Sequence, residues 1–139
     1  MNVYADSSVP LRILLGEDDP LPLTTIEAGF TSALFSVEAR RTLDRLRVTQ
    51  SYNDADVAAA MSEVLRIERA LVLLDVSNEI LDRAASPFPT TIGTLDAIHV
   101  ATALTLRNEV IPDLVFATHD RQQAIAARVL GFEVVGVEL

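Results

Sequence analysis

Short apolar runs, each free of charge and each followed by a residue suited to start a helix, recur along this chain. Val3–Ala5 runs into Asp6-Ser7-Ser8, and Leu114–Thr118 runs on to Asp120. A run that is apolar throughout reads as a strand buried on both faces, and such strands belong to parallel sheets covered by helices. Between these runs lie helical segments with recognisable ends. Pro10, just after Asp6-Ser7-Ser8, opens an apolar helix to Leu15, and Glu17–Pro20 ends it in an acidic loop. A short strand is expected near Ala28–Thr31. Ser32 can cap a helix to about Val48, and Asn53-Asp54 opens another from about 54 to 70. Leu71–Val76 reads as either strand or helix tail. Ser77 starts a short helix to Ala85, and Ser86–Gly93, with its prolines and glycine, reads as loop. Thr94 is expected to cap a helix to about Arg107, and Asp120 one that stops at Gly131, with a last strand over Glu133–Val137. The alternation implies an α/β fold with a central parallel sheet covered on both faces, in a single domain over residues 1–139.

Composition narrows the function. Half of the 139 residues are hydrophobic, enough for a full core. The absence of cysteine removes disulfides, thiolate zinc sites and cysteine nucleophiles, and fits a reducing cytosol. The longest charge-free stretches, such as Ala28–Val37 and Ala97–Leu106, run to about ten residues, against the roughly 20 of a membrane span. The opening MNVYADSS has no basic segment ahead of an apolar one, so a cytoplasmic location is expected. The net charge is −9, the reverse of the usual basic footprint on nucleic acid, and all 11 basic residues are arginines. There is no G-x-S-x-G nucleophile elbow and no glycine-rich phosphate loop.

Four acids invite a common explanation. Asp6 and Asp120 are natural helix caps, and Asp96 suits the positive end of its helix. Glu38 could pair with Arg41 or Arg45 at helical spacing. In a parallel sheet, however, strands end where the following helices begin, and ligands bind at that carboxyl edge. All four acids are expected there. Carboxylates gathered in one place repel one another, and hard divalent cations, which prefer oxygen ligands, can hold them.

YADSS at the N-terminus, SALFSVEARRTL around Glu38, TLDAIHVATAL around Asp96 and FATHDRQQAIAA around Asp120 resemble the successive motifs of PIN-domain ribonucleases. The resemblance covers nearly the whole chain and is greatest to the toxin component of VapBC-type toxin–antitoxin pairs. It implies a PIN-like three-layer α/β/α sandwich. It also implies a metal-dependent endoribonuclease in which Asp6, Glu38, Asp96 and Asp120 are the catalytic acids and bind Mg²⁺ or Mn²⁺. RNA as substrate, a cognate antitoxin as partner and a homodimer follow from the same likeness. One departure is the segment before Ser32, short for the family, which usually places another helix there.

Other residues near the motifs have two readings. His99 is expected to be a packed histidine hydrogen-bonded to backbone in preference to a ligand, since imidazole suits softer metals than Mg²⁺. Ser8 and Thr118 could orient the carboxylates, or serve only as helix cap and strand residue. Arg40, Arg41 and Arg121 could contact phosphates or be solvated helix arginines. Two rival functions also remain. LRILLGEDDP and ALVLLDVSNE resemble parts of a response-regulator receiver, with Asp18 and Asp19 binding Mg²⁺ and Asp75 accepting phosphate. Receivers need a lysine, which this chain lacks, and their acids are more closely spaced. The other rival is a PIN-like interaction domain that has lost activity, which an intact acidic quartet opposes.

Overall fold

The computed structural model describes residues 1–17, 21 and 26–139. Five strands form one sheet: β1 (Asn2–Ala5), β2 (Ala28–Ser32), β3 (Val72–Leu74), β4 (Val115–Ala117) and β5 (Val134–Val135). Six helices accompany them: α1 (Ser8–Leu14), α2 (Leu34–Val48), α3 (Asp54–Ala70), α4 (Asn78–Ala84), α5 (Thr94–Glu109) and α6 (Arg121–Val129). The strand order is β3-β2-β1-β4-β5, and every pairing is parallel. The expected α/β sandwich is therefore the fold, and Leu71–Val76, ambiguous by pattern, contains a strand.

Alternation along the strands divides the core. Tyr4 and Phe116 are register partners, and with Val100, Ala103, Leu106 and Ala127 they bury one face of the sheet under α5 and α6. Val3, Ala5, Val115 and Ala117 point to the other face, where Val9 of α1 covers them. A further cluster joins α1, α2 and α3 through Leu14, Phe35, Leu43, Val64 and Ile67. Helix α5 is buried on most of its circumference, and its Ala97, Ala101 and Ala103 let it lie close against its neighbours. No helix among the described residues is long and apolar enough to cross a membrane.

The helix ends follow the sequence in part. Asn53 caps α3 in a full capping box with Asp56, Ser77 accepts from the Ile80 amide, and Asp120 accepts from the Gln123 amide. Two caps shift by a residue. Ala33 and Gly93, not Ser32 and Thr94, occupy the cap positions of α2 and α5, and neither makes a side-chain cap. Ser32 belongs to β2 and accepts from the Leu34 amide instead. Of the acidic loop expected at Glu17–Pro20, residues 18–20 lie outside the described residues, as do residues 22–25 of the short segment before Ser32.

The strand order fixes where a site can form. From β1 the chain builds outward to β2 and β3, then returns to the other side of β1 with β4 and β5. The crevice between the carboxyl ends of β1 and β4 is thus the topological switch point of the sheet. The Asp6 amide donates to the Ala117 carbonyl at 2.9 Å and ties these two ends together.

Candidate acidic site at the switch point

Asp6 leaves the end of β1 with only 4% of its surface exposed. Its Oδ2 accepts from the Ser8 amide at 3.1 Å and lies 3.4 Å from the Thr118 hydroxyl. Its Oδ1 accepts from Gln123 Nε2 at 3.2 Å. Neutral donors thus fix the direction of the carboxylate and bring no opposite charge to it. Ser8 and Thr118 do orient this acid, as one of their two readings held. Ser8 is not the cap of α1; its hydroxyl accepts from the His119 amide and sits 3.4 Å from that of Thr118. Thr118 in turn accepts from the Asp120 amide at 3.0 Å.

Glu38 does not pair with Arg41 or Arg45. The helix turns it inward, where Oε1 accepts from Ser7 Oγ at 2.8 Å and lies 2.9 Å from His99 Nε2. Arg41 instead pairs with Asp44. His99 is fully buried, as a packed histidine should be, but it bonds to side chains and not to backbone. Its Nδ1 lies 2.8 Å from the Tyr4 hydroxyl, and its Nε2 also approaches Ser7 Oγ at 2.9 Å. Burial, and then the nearby Asp6 charge, push the Tyr4 hydroxyl well above its ordinary pKa, so it keeps its proton. An imidazole that accepts from Tyr4 at Nδ1 and donates through Nε2 to Glu38 satisfies all three groups.

Asp96 lies half-buried in the first turn of α5, and Asp120 is more exposed at the start of α6. Burial, then the charges of Asp6 and Asp120, raise the Asp96 pKa from 3.8 to about 6. His99 opposes this and Glu38 adds to it. The other three acids therefore all act on Asp96 across the switch point. Among the described residues, no arginine forms an ion pair with any of them. Arg40 pairs with Glu68 at 2.9 Å, and Arg121 donates to the Glu138 carbonyl at 3.1 Å. None of the three arginines singled out as phosphate contacts is free of a protein partner here.

The raised Asp96 pKa has a measurable consequence for the metal-free protein. The folded chain holds this proton more tightly than the unfolded chain does, so ionising Asp96 works against folding. The stabilisation is full below the unfolded value near 3.8 and is lost as pH rises through about 6. After discounting for solvent screening, we expect about 1–2 kcal/mol from this group. Urea unfolding at pH 4 and pH 7 should show wild type losing that much more stability than Asp96→Asn over this interval.

The donors match a hard divalent cation in kind: carboxylate oxygens, negative in sum, with no arginine paired to them. Among the described residues, no group of three or more histidine, cysteine, aspartate or glutamate side chains is arranged to hold a metal ion. The fit therefore rests on donor chemistry and charge. The residues rated as rival phosphoacceptor machinery fare differently. Asp75 is exposed beyond β3, an edge strand far from the switch point in strand order, and Asp18 and Asp19 lie outside the described residues.

Three polar residues of the site escaped the motif reading: Tyr4, Ser7 and Gln123. A tyrosine within an apolar strand run needs a partner for its hydroxyl, which was a usable signal. Asp120 followed three residues later by Gln123 also has capping-box spacing. The Gln123 side chain nevertheless turns into the site and not back to the cap.

A family model described as PIN domain matches residues 3–129. Among curated proteins, none matches the chain. The fold is similar to that of a crystal structure of VapBC2 from Rickettsia felis bound to a DNA fragment from their promoter. The TM-score is 0.59 at 10% identity, over 99% of this chain and 98% of that one. A match that takes in β1 through α6, and with them all four acids, means that the chain belongs to the PIN-domain family.

Proposed function

We propose that this protein is a Mg²⁺- or Mn²⁺-dependent endoribonuclease and the toxin of a type II toxin–antitoxin pair, acting in the cytoplasm. The observation that carries the reading is the gathering of the acids at the switch point. Gln123 touches Asp6, Asp96 and Asp120, and His99 Nε2 lies 2.9 Å from Glu38 and 3.8 Å from Asp6. Burial with the neighbouring acid charges raises the Asp96 pKa to about 6. Such mutual repulsion is favourable to a protein that binds a cation and costly to one that does not. Membership in a nuclease family supports the reaction class, and the VapBC2 likeness supports the pairing with an antitoxin.

In this reading Asp6, Glu38, Asp96 and Asp120 would hold the cation. A divalent cation there supplies activation of water and neutralisation of the phosphate. The chain's own part is to fix the ligands. Ser8, Thr118 and Gln123 hold Asp6, while Ser7 and His99 hold Glu38. Asp120 gives Oδ1 to the α6 cap, which leaves Oδ2 outside that bond. The acidic surface makes RNA binding local to the site. A homodimer is part of the same proposal.

The test is cleavage of a panel of structured RNAs by metal-stripped protein, with and without added Mg²⁺ or Mn²⁺. We expect cutting only when metal is added. Cleavage that persists undiminished in chelator would end the metal-dependent reading, and no cleavage of any RNA with either metal would favour an inactive PIN-like interaction domain.

A further inference from the structure

Gln123 is fully buried on α6 and spans the site. Its Oε1 accepts from the Thr118 hydroxyl at 2.7 Å. Its Nε2 donates to Asp6 Oδ1 at 3.2 Å and to the Asp96 main-chain carbonyl at 3.3 Å. Both of those partners only accept, so the amide can face them in one orientation alone. The Gln123 main-chain N–H donates to Asp120 Oδ1 at 2.8 Å. One residue therefore touches three of the four acids, and it links the ends of β1 and β4 to the first turns of α5 and α6.

The chemistry of the amide suits this place. A lysine or arginine here would pair with Asp6 and compete with a cation. A glutamate would add another negative charge. An apolar side chain would leave Asp6 Oδ1 without its donor. A neutral N–H group aims Asp6 Oδ1 without bringing an opposite charge to it.

We propose that Gln123 is a positioning residue that sets the affinity of the acidic site for divalent cations, by fixing Asp6 against the first turn of α5. The inference rests on the metal-dependent reading above. It is tested by following the thermal midpoint of metal-stripped protein as Mn²⁺ is added, in wild type, Gln123→Met, Thr118→Val and Thr118→Ser. A cation bound only by the folded state raises the midpoint by mass action, so the concentration giving a fixed rise reports affinity. The midpoint before metal is added reports packing separately.

Gln123→Met keeps the length of the side chain and removes its polar atoms. It should need about 10- to 100-fold more Mn²⁺ for the same rise, the usual loss when a residue that orients a ligand is removed. Thr118→Val, which frees the amide to rotate, should move the same way, and Thr118→Ser should restore the wild-type response. If wild type responds and Gln123→Met responds at the same concentration, this inference is overturned and the metal reading stands. If wild type shows no response to Mn²⁺, both fall. Should Gln123→Met not fold, Thr118→Val decides by the same criterion.

Discussion

Asp96→Asn should abolish RNA cleavage while leaving the fold intact. The exchange preserves shape and removes one charge from a site whose acids already repel each other. Relief of that repulsion should leave the metal-free variant at least as stable as wild type at pH 7, because the ionised carboxylate is the destabilising form there. Activity should fall by more than about a hundredfold, since a direct ligand is expected to matter at least as much as the residues that orient it. Initial rates on the best RNA substrate, with circular dichroism as the folding control, measure both effects. Near-wild-type turnover would remove Asp96 from the site. A variant that is inactive and also unfolded would leave Glu38→Gln as the deciding exchange, because Glu38 is anchored by two side chains and not by the sheet.

The second large effect is expected in living cells. Producing this protein alone should arrest growth, and producing it with a small protein encoded beside it should restore growth. The physical ground is the unbalanced charge at the switch point, where no arginine among the described residues is paired with Asp6, Glu38, Asp96 or Asp120. A guanidinium from another protein can fill a carboxylate pocket with bidentate geometry, and opposite charge speeds its approach. We expect the neighbour to insert an arginine or lysine near Glu38 and Asp120 and to suppress cleavage by the purified protein. Harmless expression of a protein that cuts RNA in vitro would instead point to a housekeeping nuclease.

Much of the fold was legible because its signals are local. Apolar runs at Val3–Ala5 and Leu114–Thr118 gave the two strands that frame the site, and Asn53, Ser77 and Asp120 are caps by side chain as well as by position. β2 was harder, because AGFTS carries little apolar pattern and its first three residues are only partly buried. At the site, local spacing misled. Glu38 has Arg41 and Arg45 at helical distance, yet its partners Ser7 and His99 are 31 and 61 positions away. A one-turn pair between exposed side chains contributes little, so burial against distant polar groups decides where the glutamate points. The same holds for His99, whose backbone neighbours are already bonded within α5, which leaves the imidazole to Tyr4, Ser7 and Glu38. Such partners come from the strand order, which no short motif encodes.

The place of β1 in the middle of the sheet also sets a clock. It is the earliest element made, yet Asp6 at its end depends on Gln123, 117 positions later in the chain. At about 5–20 residues per second, a ribosome takes on the order of ten seconds to cover that interval. During it the growing polypeptide gains Glu38 and then Asp96, but α6 with Gln123 comes last. The arrangement that holds Asp6 can therefore close only after every residue from Asp6 to Gln123 has been made.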